Sequence, residues 1–287
     1  MCGGGLRDRA TAQLAGCAIH QCRSCGSGIL WPRPDQTALS ATHDDAEYFN
    51  HPYFESRRDA EADNPTYDER LARLNPLLMN PASARVLDLG CDTGTFMAYL
   101  SSRVGAQTVG VDVSRAAVTE GQSKGRDVRL GTLEAQRFPD GSFDALTAFD
   151  VVEHVADPRG LLREAARILK PGAPLVVEVP HFSGLIYRMG RMLGSLGLLD
   201  GPLTAIRDRL FPAFHVQYPT VVALRGLLSD AGFGDIVVNG REFRTRELAL
   251  DNAILRRFVL TVFAISGWVG MPTVLVVSAR ASMRSNG

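Results

Sequence analysis

An α/β fold, a mostly parallel sheet with helices on both faces, is predicted by two features of the sequence. Apolar strand runs alternate with helical segments between residues 84 and 180, and the first run ends in a glycine turn. Composition agrees: the 287 residues are 45% hydrophobic and 22% charged, as in ordinary globular proteins long enough to bury a full core. The 31 basic and 31 acidic residues cancel. A chain without net positive charge has no general footprint for a nucleic-acid backbone, so no nucleic-acid partner is expected.

Residues 1–34 are rich in Cys and Gly and end in "WPRP", which reads as a loop-like, zinc-ribbon-like appendage. Residues 35–80 are polar with scattered aromatics and form a helical cover, with one helix over 68–78. The main domain spans 81–287. Its first strand, "RVLDLG", leads to a helix over 95–103, and "TVGVDV" leads to one over 114–123. Strands "DVRLG" and "FDALTAFD" follow, then a helix over 158–169 that passes through "KPG" to "PLVVEVP". Ligands of such sheets bind at the carboxyl ends of the strands. After Pro180 the rhythm changes, with insertions at about 181–215, containing Arg188, Arg191, Arg207 and Arg209, and at about 240–271. A helix over 221–231 and strands at 236–238 and 273–278 complete the order.

The stretch from Phe258 to Ser278 carries no charge and is long enough to cross a bilayer. Gly267, Gly270 and Pro272 interrupt it and "TVLVVS" is a β-branched run, so it reads as helix, turn and buried strand. Five cysteines, an odd number, and no charged-then-apolar start point to a cytoplasmic protein with reduced thiols.

The turn Asp88-x-Gly90-x-x-x-Gly94 departs from the dinucleotide fingerprint because Asp92 stands where a glycine is expected. A carboxylate there repels phosphate. Asp112 ends the second strand, placed to accept bonds from both hydroxyls of a ribose. Two acids flanking the turn suit a ligand with a positive charge and a nucleoside but no phosphate, a description that S-adenosylmethionine meets. Simpler readings stay open: a tight turn at Gly90 and Gly94, and helix caps at Asp92 and Asp112.

With these residues the sequence resembles the class I S-adenosylmethionine-dependent methyltransferases. "VLDLGCDTG" is similar to their first motif and "GVDVS" to their second. "GTLEAQRFPDGSFDALTAFDVVEHVADP" resembles the stretch closing over the adenine, and "RILKPGAPLVVEVP" the fifth strand with its lead-in. The resemblance implies a Rossmann-like seven-stranded sheet, mostly parallel, with the last strand antiparallel. It implies that Asp88, Gly90 and Gly94 line the amino-acid end of the cofactor, that Asp112 binds ribose and that Val113 packs on adenine. Thr132 and Leu133 stand where the family often has an adenine-binding acid and a backbone donor, with Glu134 as a nearby substitute. Phe149 and Asp150 are expected to face the methyl group and the substrate.

Methyl transfer to a hydroxyl or an acidic carbon is helped by a base, and His215, His181 and His154 fall near the expected mouth. Each histidine also has a plain structural reading. Asp150, Glu153 and His154 at helical spacing could share a divalent ion, as in quinone-pathway O-methyltransferases that this segment resembles, or simply start a helix. Cys22 and Cys25 have zinc-knuckle spacing, with Cys2 and Cys17 to complete a structural zinc site and His20 as a replacement ligand. The resemblance includes a Cys-rich lead-in found before some small-molecule methyltransferases, usually with two C-x-x-C pairs; the first pair here is incomplete.

The insertions set arginines beside large apolar side chains, which suits a small, apolar or lipid-like methyl acceptor and peripheral membrane contact. O- or C-methylation of such a metabolite is the expected activity. Methylation of RNA or protein and a non-enzymatic cofactor-binding relative are the alternatives, and an NAD-dependent oxidoreductase is disfavoured by Asp92.

Overall fold

The computed structural model describes residues 2–14, 17–35, 64–198, 214–243 and 253–282, with positions 37, 39, 207, 208 and 210–212. Much of the expected cover at 35–80 and parts of both insertions, Arg209 included, lie outside the described residues. The N-terminal segment differs from its loop-like reading. It forms β1 (Leu6–Leu14), β2 (Cys17–Cys22) and β3 (Gly28–Trp31), an antiparallel meander to which the distant β9 (Gln217–Tyr218) adds a fourth strand. Ile19 and Leu30 bury against Phe182, Tyr187, Phe211 and Tyr218, which gives this polar stretch a core it lacks alone.

The second sheet contains β4 (Arg85–Leu89), β5 (Gln107–Asp112), β6 (Val128–Leu130), β7 (Ala145–Phe149), β8 (Pro174–Pro180), β10 (Phe233–Arg241) and β11 (Val274–Ala281). Their order is β10-β11-β8-β7-β4-β5-β6, and β11 runs antiparallel to both neighbours, as the sequence resemblance implies. Strands β7 and β8 are buried along their whole length, which explains why they are apolar apart from Thr147 and Glu178. The edge strand β10 alternates half-buried and exposed residues between buried ends, so only its centre reads clearly from sequence.

Helices α1 (Pro65–Leu74), α2 (Thr95–Val104), α3 (Arg115–Ser123), α4 (Pro158–Ile168), α5 (Leu185–Ser195), α6 (Val221–Asp230) and α7 (Ala253–Trp268) connect the strands. Ser114, Asp157 and Thr220 cap α3, α4 and α6 by accepting from Ala117, Gly160 and Ala223. Helix α1 starts earlier than its expected position, where Asn64 accepts from the Thr66 N–H. It gives way to a 3-10 turn at Asn75–Leu77, since Pro76 offers no N–H and disfavours α geometry in the residue before it. The uncharged C-terminal stretch is indeed helix, turn and strand, and no described helix is long and apolar enough to cross a membrane.

One charged residue lies in the middle of the apolar β8. Glu178 is fully buried and accepts from Arg70 of α1, at 2.8 and 3.0 Å, and from Arg241 of β10, at 3.1 and 3.3 Å. Burial alone would raise its pKa, but the two guanidinium groups outweigh that and hold it at about 2. Glu178→Ala is therefore expected to cost about 3–5 kcal/mol, because two guanidiniums would be left in the interior without their carboxylate. Urea unfolding monitored by circular dichroism measures this, and a loss under about 1 kcal/mol would contradict the network's role.

Candidate active site

The carboxyl ends of β4, β5 and β7 converge where the strand order reverses direction, the usual place for a ligand in such a sheet. Gly90 follows β4 at φ 67°, and a Cβ there would lie 2.4 Å from Val151 Cγ2, so the turn presses against the loop leaving β7. Gly94, at φ 76°, is the N-cap of α2 and has no side chain with which to cap it. Asp92 is left-handed at φ 53°, and its N–H donates to Asp112 Oδ2 at 2.8 Å.

Asp112 Oδ1 accepts from the Ser114 N–H at 2.8 Å. Each oxygen keeps a second acceptor position, enough for a diol. Asp88 is buried and accepts from Thr147 Oγ1 at 2.6 Å. Burial pushes Asp88 up to about 6, against the pull of Thr147 and Arg70. It pushes Asp112 to about 6 as well, against the bonds from Ser114 and Asp92. These are sites where a cation would be accommodated and an added anion would not.

Val113 follows β5 and is half-buried. Thr132 Oγ1 accepts from the Ala135 N–H at 3.4 Å, while Leu133 packs in the core and Glu134 is exposed. Phe149 packs edge-on to Phe96 with ring centroids 5.3 Å apart, and the Arg70 guanidinium lies 4.0 Å above its ring. Asp150 is left-handed at φ 58°, and its Oδ2 is 3.5 Å from Arg70 Nη2.

That turn separates Asp150 from its expected companions. Residues Val152–His154 form a 3-10 turn, and Glu153 and His154 meet His215 instead, with one ligating atom from each within 4.8 Å of the others. The two imidazole rings are perpendicular with centroids 4.6 Å apart. His154 Nδ1 is 3.1 Å from the Phe214 carbonyl, which only accepts; the proton is therefore on Nδ1 and the lone pair on Nε2. Glu153 is fully buried. The third candidate, His181, is apart from this group: its Nδ1 donates to the Pro272 carbonyl at 2.9 Å, and burial pushes its pKa down.

Of the four cysteines expected to share a metal, Cys2, Cys22 and Cys25 gather with their sulfurs within 4.8 Å, Cys2 and Cys22 at 3.4 Å. Cys17 starts β2 while Cys22 ends it, so strand geometry carries Cys17 away to pack beside the Ile19 core. His20 bonds the Arg7 carbonyl at 2.9 Å and does not join the cysteine group.

Sequence reasoning passed over Arg70, Thr147, Glu178, Gln217 and Arg241. A usable signal existed for one of them, since the lone charge in "PLVVEVP" requires a buried partner.

A profile of the methyltransferase-domain family matches residues 56–237. Demethylmenaquinone methyltransferase of Thermus thermophilus is 35% identical over 172 residues, 55% of this chain and 77% of that protein. Ubiquinone biosynthesis O-methyltransferase of Xanthomonas oryzae is 35% identical over 132 residues, 41% of this chain, which spans 54% of that protein's length. Among solved structures, a S-adenosylmethionine-dependent methyltransferase from Archaeoglobus fulgidus superposes with a TM-score of 0.54 at 20% identity, covering 79% of this chain and 99% of that one. The last comparison speaks for the fold alone, but the family match covers more than half of the sequence and agrees with strand order and turn: the chain belongs to the class I S-adenosylmethionine-dependent methyltransferases.

Proposed function

We propose that this methyltransferase acts on a hydroxyl or acidic carbon of a small, apolar metabolite, with His154 and His215 handling the acceptor's proton. The observation that carries this reading is the convergence of both histidines with buried Glu153 immediately after β7. S-adenosylmethionine supplies a methyl group already activated by the sulfonium charge, so the protein's work is alignment and proton removal. Asp88 and Asp112 favour the cation and the ribose, and the close contact of Gly90 with Val151 joins the cofactor turn to the β7 loop. His154 Nε2 has the lone pair to accept the acceptor's proton, and the Glu153 carboxylate beside the rings favours the resulting imidazolium. The named activities of the quinone-pathway relatives fit an aromatic, apolar acceptor.

The same three residues support a second reading as ligands of a divalent ion, with His215 replacing Asp150 in the expected set. Its His154 has the carbonyl-bound Nδ1 common among metal-ligating histidines. Turnover undiminished after exhaustive chelation removes that reading and leaves the base.

His154→Gln and His215→Gln are each expected to lower kcat by roughly 10²–10⁴-fold while leaving cofactor affinity unchanged. Transfer of labelled methyl to phenolic and quinol acceptors, paired with calorimetric cofactor binding, checks this. Two fully active variants would remove the base role.

Cofactor affinity is expected to depend on pH through Asp88 and Asp112. A cation favours their ionised forms, so affinity falls about tenfold per carboxylate from about pH 7 to about pH 5. The ligand-free chain follows the opposite trend: both pKa values are raised from 3.8 to about 6, so the carboxyls' contribution to stability is present below 3.8 and is lost as pH rises through about 6. Calorimetric titrations and thermal melts across this window measure both signs. A pH-independent affinity would disconnect the two acids from the cofactor.

Cys2, Cys22 and Cys25 would supply three of the four ligands of a structural zinc. One equivalent of zinc is expected by elemental analysis of protein purified without chelator, with Cys22→Ser abolishing it. Zinc-free protein of unchanged melting temperature would count against the site.

A further inference from the structure

Helix α7 is apolar on the side that faces solvent as well as on the side that faces the protein. Val262, Phe263 and Ser266 are buried, while Phe258, Thr261, Ile265 and Trp268, at helical spacings of three and four, make an exposed stripe beside them. Phe258 is 54% exposed, Ile265 46% and Trp268 87%. Helix α5 begins beside the end of α7, where the Leu185 N–H donates to the Met271 carbonyl at 2.9 Å. It too exposes apolar residues, Met192 at 58% and, just past its end, Leu196 at 66%. Exposed apolar residues occurring singly need no explanation, but a row of them on adjacent helices does.

The charges on the two helices decide what covers them. Neither Leu185–Ser195 nor Ala253–Trp268 contains an acid, and the exposed charged side chains are all arginines, Arg188 on α5 with Arg256 and Arg257 on α7. Arg188 lies one and two turns before Met192 and Leu196, and Arg257 one turn before Thr261 on the Trp268 stripe. A second copy meeting this face across a two-fold axis would bring these arginines against their own kind. An anionic bilayer surface offers the complement, with acyl chains for Phe258 and Ile265, headgroup phosphates for the arginines and the boundary between them for an indole.

We propose that the solvent face of α7, extended by α5, docks the protein on an anionic membrane surface without crossing it. This surface is distinct from the residues assigned to chemistry and does not depend on the identity of the methyl acceptor. The test uses the full chain carrying Trp31→Phe, which leaves Trp268 as the only indole, since the sequence has two tryptophans. Vesicles of phosphatidylglycerol and phosphatidylcholine are expected to pellet the protein and shift Trp268 emission to the blue, whereas pure phosphatidylcholine does so at least about fivefold less. Phe258→Ser is expected to weaken partitioning about tenfold. Arg256→Glu with Arg257→Glu should abolish the preference for anionic lipid, with the same melting temperature as the parent chain. No pelleting on anionic vesicles overturns the proposal. So does equal partitioning onto neutral vesicles, or a blue shift in solution that grows with protein concentration and tracks a dimer by sedimentation.

Discussion

The carboxylate of Glu178 is the constraint around which the molecule is arranged. It lies in a strand covered on both sides, where a charge persists only with partners, and its partners come from the N-terminal helix α1 and the edge strand β10. Apolar residues of similar volume would hold such layers together at least as well as an ion triad. What they would not do is carry a guanidinium across the ends of the strands. Arg70 extends from Glu178 to Asp150 Oδ2, lies over the Phe149 ring and draws down the pKa of Asp88. The position of α1 over the cofactor end is thus set by charge rather than by shape alone.

A second dependence joins the N-terminal sheet to the Glu153, His154 and His215 cluster. Strand β9 directly follows His215, and the Val216 N–H donates to the Glu153 carbonyl at 2.9 Å while the Val216 carbonyl accepts from Leu30 at 3.0 Å. Gln217 Nε2 donates to the Val152 carbonyl at 2.6 Å, which fixes the turn that carries Glu153 and His154. At the other end of β3, Thr220 Oγ1 donates to the Cys25 carbonyl at 2.7 Å and the Thr220 N–H donates to Ser27 Oγ at 3.2 Å. The cysteine group and the histidine pair are therefore attached to one continuous strand pairing. Disordering the cysteines would loosen the backbone that holds His215 against His154.

What was legible in the sequence followed from local physics. Strands β4, β5, β7 and β8 read as apolar runs because they are largely buried, and α2, α3 and α4 as the helical segments between and after them. The same turn residues that suggested a cationic ligand are brought together, Asp88 and Asp112 on adjacent strands. The N-terminal strands were missed because their hydrophobic partners, Phe182, Phe211 and Tyr218, lie far along the chain, beyond any local window. The grouping of Asp150 with Glu153 and His154 assumed a helix. One left-handed residue and a 3-10 turn break that spacing, send Asp150 to Arg70 and leave room for a histidine supplied from elsewhere.

Asp92 shows how conformation and charge combine at the cofactor turn. Its φ of 53° is a left-handed position that glycine fills readily and that aspartate tolerates better than most residues. The residue occupies a glycine's place in the fingerprint while meeting a glycine's backbone requirement. Its N–H holds Asp112 Oδ2, but its own carboxylate pushes the pKa of Asp112 further up, as Asp112 does to that of Asp88. Three acids thus crowd one turn, with burial raising two of them before any ligand arrives. A pyrophosphate would add like charge to a site that already resists ionisation, whereas a sulfonium with an ammonium lets the same carboxylates ionise. The charge of these acids therefore favours a cationic ligand over a phosphate at this turn.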